Sequence, residues 1–181
     1  MSRFSWKLSG KCHKLGHDVV HDGVMMNFKF VMDRVTDPAL LIPHLFEDTD
    51  PTFKDRVKRG DIIVAGRNLG KGKAHVQAYI AMQGLGLGVL CESMPFLTYR
   101  GAIASGLMLM AECAGVTECA ESGDDLEVDF RSGHFLNRTR GIERQFAPVP
   151  EGLRETIELG GTEGVIKAWW EKQKQSEAAN P

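Results

Sequence analysis

The chain has 181 residues, of which 43% are hydrophobic and 25% are charged, and these proportions exclude wholesale disorder. A chain of this length buries roughly 70% of its unfolded surface, so it needs neither a disulfide nor a metal to hold a core. Its 22 Lys and Arg residues against 24 Asp and Glu residues give a net charge of −2, which disfavours nucleic acid and anionic membranes as partners.

Length and segment composition also predict the organisation and location of the chain. Residues 1–7 lack the apolar core of a signal peptide, and glycines and polar residues interrupt the apolar stretch 74–94. We therefore predict no membrane span and a cytoplasmic location. We also predict one domain over residues 1–181, with a helical tail from about residue 151.

The first half of the chain predicts a parallel unit. Alternating apolar and polar residues favour a strand over 4–12, and a histidine-rich loop follows to residue 22. Helices are expected over 37–45, where proline takes the first helical position, and over 53–57. The apolar run 62–65 is typical of a strand buried on both faces. A helix over 74–83 that ends at Gly84 and a strand over 87–91 complete a right-handed βαβ unit.

The second half adds a helix, a strand, a hairpin and a closing pair of helices. Apolar residues at spacings of three and four predict a helix over 94–105, and a strand follows over 107–110. Alternation predicts a hairpin of strands 126–130 and 134–138. Helices are expected over 151–159 and 162–174. The fold class is therefore α/β, with a mixed sheet and covering helices.

The glycine-rich loop, residues 66–73, is the strongest chemical signal in the sequence. Glycine lets backbone N–H groups approach a ligand closely, and a loop that leads into a helix start favours an anion. Arg67, Lys71, Lys73 and His75 add positive charge. An anion site is the favoured interpretation, and a solvated basic loop is the alternative.

Two named phosphate motifs do not match this region. The Walker loop needs four residues between its first glycine and Gly-Lys, whereas Gly66 and Gly70 are separated by three, and no Ser or Thr follows Lys71. Residues 84–88 read GLGLG, which is not the dinucleotide fingerprint and leads into a strand. The anion that we predict is therefore not assigned to a nucleotide.

Cysteines and histidines raise the question of a bound metal. The four cysteines form no Cys-x-x-Cys pair, so free buried thiols are predicted, and any iron–sulfur cluster must come from another chain. His13, His17 and His21 lie four residues apart and would suit zinc on a helix. The flanking glycines favour a loop instead, so we predict no metal site in this chain.

Three stretches resemble the small subunit family of 3-isopropylmalate dehydratase, the swivelling domain of the aconitase superfamily. Residues 60–72, GDIIVAGRNLGKG, resemble the family's GDIIVAGxNFGCG, which continues as SSREHA. Residues 99–107, YRGAIASGL, resemble YRNAINIGL, and residues 46–53, FEDTDPTF, resemble FEDLDPEF. The match is collinear over nearly the whole chain.

This resemblance implies a fold, a reaction and a partner. The fold would be a β/β/α swivelling domain, and the chain would dock on a large subunit whose own cysteines hold a [4Fe-4S] cluster. The pair would remove water from a small hydroxy-carboxylic acid. An alternative is a non-catalytic swivel domain that binds an anionic metabolite or a partner protein.

The chain departs from the family at the chemistry-bearing residues. Alignment on Gly72 and Ala78 places Lys73 at the family's serine base and His75 at the arginine that grips a substrate carboxylate. Lys71 replaces a cysteine, and residues 16–26 keep Asp22 of the family's acidic loop. We expect Lys73 to act as the base, the alternative being that it only neutralises substrate charge. The expected substrate contacts are Arg67, Lys71, Gly72, Ala74, His75, His21 and Asp22.

Overall fold

A seven-stranded mixed sheet forms the centre of the computed structural model, which describes residues 4–179 with side chains through residue 175. The strands are β1 (Lys7–Lys14), β2 (Ile62–Ala65), β3 (Gly88–Cys91), β4 (Met108–Met110), β5 (Asp125–Asp129), β6 (His134–Asn137) and β7 (Ile142–Gln145). Their order in the sheet is β4-β3-β2-β1-β5-β6-β7.

Helices connect and cover the strands. They are α1 (Phe28–Met32), α2 (Pro38–Leu41), α3 (Phe53–Arg56), α4 (Gln77–Leu85), α5 (Phe96–Ala104), α6 (Glu151–Glu158) and α7 (Thr162–Ala179). Short 3-10 turns lie at Ile42–His44 and Val116–Glu118. Within the described chain, no helix combines the length and the hydrophobicity needed to cross a membrane.

Strands β1 to β4 form the parallel half of the sheet. All residues of β2, β3 and β4 are buried, which suits strands covered on both faces. Gly88 begins β3 without a side chain because a Cβ there would lie 2.5 Å from the Phe130 ring. Because these four strands run parallel, their carboxyl ends lie at the same edge of the sheet.

Strand β1 joins this parallel half to an antiparallel half. It pairs with β2 in parallel and with β5 in the antiparallel sense, with Leu8 opposite Val128. Leu126 and Val128 are buried while their neighbours in β5 are not, which is the alternation of a strand with one covered face. The predicted α/β class with a mixed sheet is confirmed.

The structure differs from the prediction mainly in short helices, strands and turns. Helix α1, strand β7 and the 3-10 turn Val116–Glu118 were not predicted, because runs of three to five residues carry too little periodicity. The helix predicted over 37–45 is observed as α2 followed by the 3-10 turn Ile42–His44. Helix α7 extends to Ala179, past the predicted end at residue 174. The last two residues of the predicted tail lie outside the described residues.

Helix α4 starts and ends later than predicted. It begins at Gln77 rather than at residue 74, and its left-handed C-cap is Gly86 rather than Gly84. Gly84 is instead a packing residue, since a Cβ there would lie 2.7 Å from Pro38 Cβ in α2. The late start lengthens the glycine-rich loop through Val76.

Asp61 ties β1 to β2 at the start of the parallel unit. Its buried carboxylate accepts hydrogen bonds from the Lys11 and Lys58 backbone N–H groups, at 2.8 Å and 2.9 Å. His13 Nε2 lies 2.8 Å from Oδ2 of the same carboxylate. Three donors therefore surround one buried carboxylate, as a buried charge requires.

We predict that Asp61→Ala destabilises the fold by roughly 3–5 kcal/mol, because it leaves two partly buried N–H groups and a buried histidine without their acceptor. Urea unfolding at neutral pH measures the loss. The matched control is Glu163→Ala, which removes a carboxylate paired with Lys167 on an exposed helix face and is expected to change stability little. Equal losses in the two variants would contradict the prediction.

Candidate substrate site

The candidate site forms where β1 and β2 end side by side. The connector, residues 15–22, follows β1, and the glycine-rich loop follows β2. The Gly66 N–H donates to the Gly16 carbonyl at 3.1 Å, and the Gly70 N–H donates to the Val19 carbonyl at 2.7 Å. A bridge between Val20 and Lys71 continues this contact beyond the strands. Backbone pairing therefore fixes the loop against the connector.

Two glycines of the loop have different tasks. Gly70 has φ +76°, and a Cβ there would lie 2.1 Å from the buried Tyr79 hydroxyl, so it is needed for packing. Gly72 has φ +105° and faces open space, with no atom within 4 Å of where a Cβ would be. Gly72 therefore leaves its backbone accessible to a ligand.

A cleft of about 460 Å³ lies over Gly72. Its lining residues are Val20, Asp22, Phe28, Lys71, Gly72 and Lys73. The ammonium group of Lys71 lies 3.3 Å from Asp18 Oδ1, while Lys73 is exposed. The structure thus places Lys71, Gly72, Lys73 and Asp22 together, as predicted for residues of a common site.

Four of the predicted contact residues are not among the residues that line this cleft: Arg67, Ala74, His21 and His75. Ala74 is exposed beside a second cleft that Leu97 and Arg100 help to line. The Arg67 guanidinium is exposed and lies 4.0 Å from the Glu92 carboxylate, at the end of β3. Neither residue touches the cleft over Gly72 in the isolated chain.

Side chains of the protein itself occupy part of the start of α4. The Ala78 N–H donates to His21 Nε2 at 3.0 Å, and the Val76 N–H donates to the Gln77 side-chain oxygen at 3.2 Å. The sequence predicts free amides at a helix that follows Lys73 directly. The helix instead begins at Gln77, and His21 accepts a hydrogen bond from one amide of its first turn.

Asp22 joins two histidines that are distant in sequence. His75 Nδ1 lies 2.7 Å and 2.9 Å from the two oxygens of Asp22, and His21 Nδ1 lies 2.9 Å from Oδ1. Because His21 Nε2 accepts from Ala78, its proton must sit on Nδ1 and point at Asp22. Asp22 therefore accepts from both rings, and the connector holds His75 in place.

Burial and hydrogen bonding set the charges in this group. Burial lowers the pKa of His21, outweighing the hydrogen bond from its ring to Asp22, so His21 is neutral. Burial opposes ionisation of Asp22, but the hydrogen bonds from His75 and His21 together hold the pKa of Asp22 below its usual value. The group therefore contains one carboxylate and one histidine that is fixed as neutral.

The same three residues lie close enough together to share a metal ion. Ligand atoms of His21, Asp22 and His75 lie within 4.8 Å of one another. Both nitrogens of His21 already have hydrogen-bond partners, so binding an ion there would break the bond to α4. The group is therefore a hydrogen-bond network.

The other histidines and the cysteines singled out in the sequence lie in separate environments. His13 contacts Asp61, and His17 accepts from the Arg67 N–H at 2.9 Å, so these two histidines do not join His21. All four cysteines are buried and free, which confirms the predicted thiols. Burial raises the pKa of Cys12 and of Cys113 to about 12, so neither is a ready thiolate ligand.

Sequence reasoning missed the contribution of α1. This helix places Phe28 in the lining of the cleft, with its ring 5.9 Å from that of His75. One signal could have located it, because the Asn27 side chain accepts from the Lys29 N–H as an N-cap. The helix itself is too short to produce a clear apolar period.

The fold and the site together define a class: an α/β domain with a candidate anion site at the carboxyl ends of parallel strands. No family model matches the chain. The chain is 36% identical to the 3-isopropylmalate dehydratase small subunit of Moorella thermoacetica, over 85% of this chain and 91% of that protein. It is 37% identical to small subunit 1 of Archaeoglobus fulgidus, over 84% of this chain and 92% of that protein.

A solved structure gives the same assignment. The crystal structure of 3-isopropylmalate dehydratase from Methanocaldococcus jannaschii matches with a TM-score of 0.81 at 30% identity, covering 94% of this chain and 99% of that chain. The chain belongs to the 3-isopropylmalate dehydratase small subunit family.

We predict that His21 makes stability fall in mild acid. The unfolded chain binds a proton at this residue below about pH 6.5, whereas the folded chain keeps the ring neutral, so unfolding becomes more favourable as pH falls further. The loss is at most about 1.4 kcal/mol for each pH unit until the folded group protonates.

Urea unfolding of the wild type and of His21→Gln from about pH 7.5 to about pH 5 measures this slope. The variant is expected to show a smaller decline, whatever its stability at neutral pH. An equal slope in the two proteins would exclude His21 as the source.

Proposed function

We propose that this chain is the small subunit of a heteromeric hydro-lyase that dehydrates or isomerises a hydroxy-carboxylic acid. Family membership supports the reaction class, because the relatives are named as dehydratase small subunits. The observation that carries the proposal is the cleft over Gly72, where open backbone lies between Lys71 and Lys73. A negatively charged substrate suits this cleft.

A [4Fe-4S] cluster belongs to the partner in this proposal. The cysteines of this chain do not fit a cluster site, because they are buried, and the thiols of Cys113 and Cys119 contact backbone carbonyls. A large subunit therefore supplies the cluster. Free thiols persist in a reducing compartment, so we place the complex in the cytoplasm.

The residues of this chain bind and orient the acid. Lys71 and Lys73 supply positive charge, and the Gly72 backbone permits close approach. Arg67 and Ala74 would meet the substrate only if the large subunit brings it to the outer side of the loop. His21 is buried and acts through Asp22, so its role is positioning.

The role of Lys73 as the catalytic base is part of the same proposal. Lys73 is exposed in the isolated chain, and a lysine becomes a base where its ammonium form is desolvated or meets other positive charge. Docking of the large subunit would cover the cleft and bring about that desolvation. The alternative role, charge neutralisation of the substrate, needs no such change.

The experiment that tests the function is reconstitution. The tagged chain is expressed in its host, and a partner with the visible absorption of an iron–sulfur cluster should co-purify. The complex is then assayed with 3-isopropylmalate and other hydroxy-dicarboxylates by ultraviolet absorption of the alkene. A complex that binds these acids without turning them over would instead support a non-catalytic binding module.

We predict that Lys73→Ala lowers kcat/KM about 10-fold or more while the complex still assembles. A fall in kcat identifies the base, whereas a rise in KM alone identifies a carboxylate contact. The matched control is Arg140→Ala, which removes an exposed cation in the turn between β6 and β7, at the far side of the sheet. Unchanged turnover in Lys73→Ala would remove Lys73 from the mechanism.

A further inference from the structure

A second cavity, of about 500 Å³, lies beside the connector and shares no lining residue with the cleft over Gly72. Its walls come from the end of β1, the connector, residues 46–50 and α3. Val19 lines this cavity, whereas its neighbour Val20 lines the cleft. The cavity is therefore separate from the candidate substrate site, and its volume falls within the range of small-molecule sites.

One ring nitrogen of His13 opens into this cavity. His13 lines the cavity and is only 8% exposed. Its Nε2 lies 2.8 Å from Asp61 Oδ2, and no hydrogen bond joins its Nδ1 to the described residues. In the described part of the chain, the buried side-chain polar atom without a partner is the Tyr79 hydroxyl, so His13 Nδ1 remains accessible. Because the rest of the residue is buried, Nδ1 is reached through the cavity.

Asp61 determines which chemistry Nδ1 offers. The carboxylate also accepts from the Lys11 and Lys58 backbone N–H groups, so it is fixed in front of His13 Nε2. A carboxylate accepts only, so Nε2 carries the proton, and Nδ1 of the neutral ring is then an acceptor. An acceptor in a buried position is stabilised by an N–H or O–H donor. A molecule in the cavity therefore needs a donor group at this point.

The walls around this acceptor are apolar and aromatic. The rings of Phe46 and Phe53 meet edge to face with centroids 4.9 Å apart, and the His13 ring lies 5.0 Å from that of Phe53. Val19 and Val24 add aliphatic surface. Aromatic rings favour such edge-to-face and offset contacts over aliphatic ones, so the walls suit a ligand with an aromatic body.

The charges of the lining residues are balanced. Each cation is already paired with a carboxylate: Lys11 with Asp125, Lys14 with Glu121, and Arg56 with Asp50. An anionic ligand would have to displace one of these carboxylates, and its own oxygens would face the acceptor of His13. The cavity therefore favours an uncharged ligand, in contrast to the cleft over Gly72.

We propose that this cavity is a second ligand site, which binds an uncharged aromatic ring bearing a hydroxyl group, with the O–H donating to His13 Nδ1. The inference does not rest on the proposed function, because it uses none of the residues of the cleft over Gly72. The ring would contact Val19, whose carbonyl accepts from the Gly70 and Lys71 N–H groups. A bound phenol would thus touch the residue that holds the glycine-rich loop in place.

Fluorine nuclear magnetic resonance of the full chain tests the class of ligand. The probes are 4-fluorophenol, 4-fluoroanisole, which has the ring without the donor, and 4-fluorobenzoate, which is anionic. At about pH 8, above the titration range of free imidazole, 4-fluorophenol should bind and 4-fluorobenzoate should bind more weakly. Absence of 4-fluorophenol binding, or tighter binding of 4-fluorobenzoate, would overturn the proposal.

The hydrogen bond to His13 is tested by a variant and by direct observation. In His13→Phe the preference for 4-fluorophenol over 4-fluoroanisole should fall about 2–10-fold, the effect of one lost hydrogen bond. Nitrogen-15 spectra of the wild-type imidazoles should show the His13 Nδ1 signal moving with 4-fluorophenol and not with 4-fluoroanisole. This second measurement decides the question if His13→Phe does not fold. An Nδ1 signal that both probes leave unchanged would refute the contact.

The location of the site is tested by filling the cavity. Val24→Trp places a large ring among the lining residues and should weaken 4-fluorophenol binding at least about 10-fold. The matched control is Met32→Trp, which adds the same ring at an exposed position of α1 outside the cavity and should leave binding unchanged. Equal binding to both variants, or nuclear Overhauser contacts from the wild-type ligand to residues other than Phe46, Phe53 and Val24, would place the phenol elsewhere and overturn the proposal.

A partner protein could fill the same cavity with one of its own side chains. The 4-fluorophenol titration is therefore repeated on the complex in which the chain co-purifies. Binding that persists in the complex supports a small-molecule site. Binding that is lost there would show that a partner covers the cavity and would overturn the proposal, while leaving the proposed dehydratase function untouched.

Discussion

The parallel pairing of β1 with β2 is the constraint on which the site depends. It places the connector and the glycine-rich loop next to each other, although about fifty residues of chain separate them. Asp61 reinforces this pairing from the opposite end, where its carboxylate is held by donors from both sides. Without the pairing, Asp22 could not reach His75, and α4 would lose the acceptor for Ala78.

Much of the parallel unit is visible in the sequence because its signals are strong. The run Ile62–Ala65 is short, apolar and bounded by Gly-Asp and glycine, and the strand is observed at these residues. The helix after it was harder to place, because Ala74 and His75 suit a helix by composition. Their backbone instead extends the loop, in which the His75 side chain bonds to Asp22 of the connector and the Ala78 N–H donates to His21.

The candidate site was only partly predictable for the same reason. Loop residues such as Gly72 and Lys73 are neighbours in sequence, so their proximity is evident before folding. The contact between Asp22 and His75 depends on strand order, which local patterns do not encode. The fixed tautomer of His21 depends on one amide of α4, and only coordinates reveal which amide that is. The family resemblance indicated which sequence positions correspond, but it did not predict these hydrogen bonds.

The hydrogen bond from Ala78 to His21 has a consequence for assembly. It anchors the first turn of α4 to a residue that lies far away in sequence, so the intervening loop is held at both ends. A loop restrained in this way loses its conformational entropy when the chain folds rather than when a second subunit arrives. The surface presented to a partner would then be preorganised, and encounter would resemble the docking of two rigid bodies.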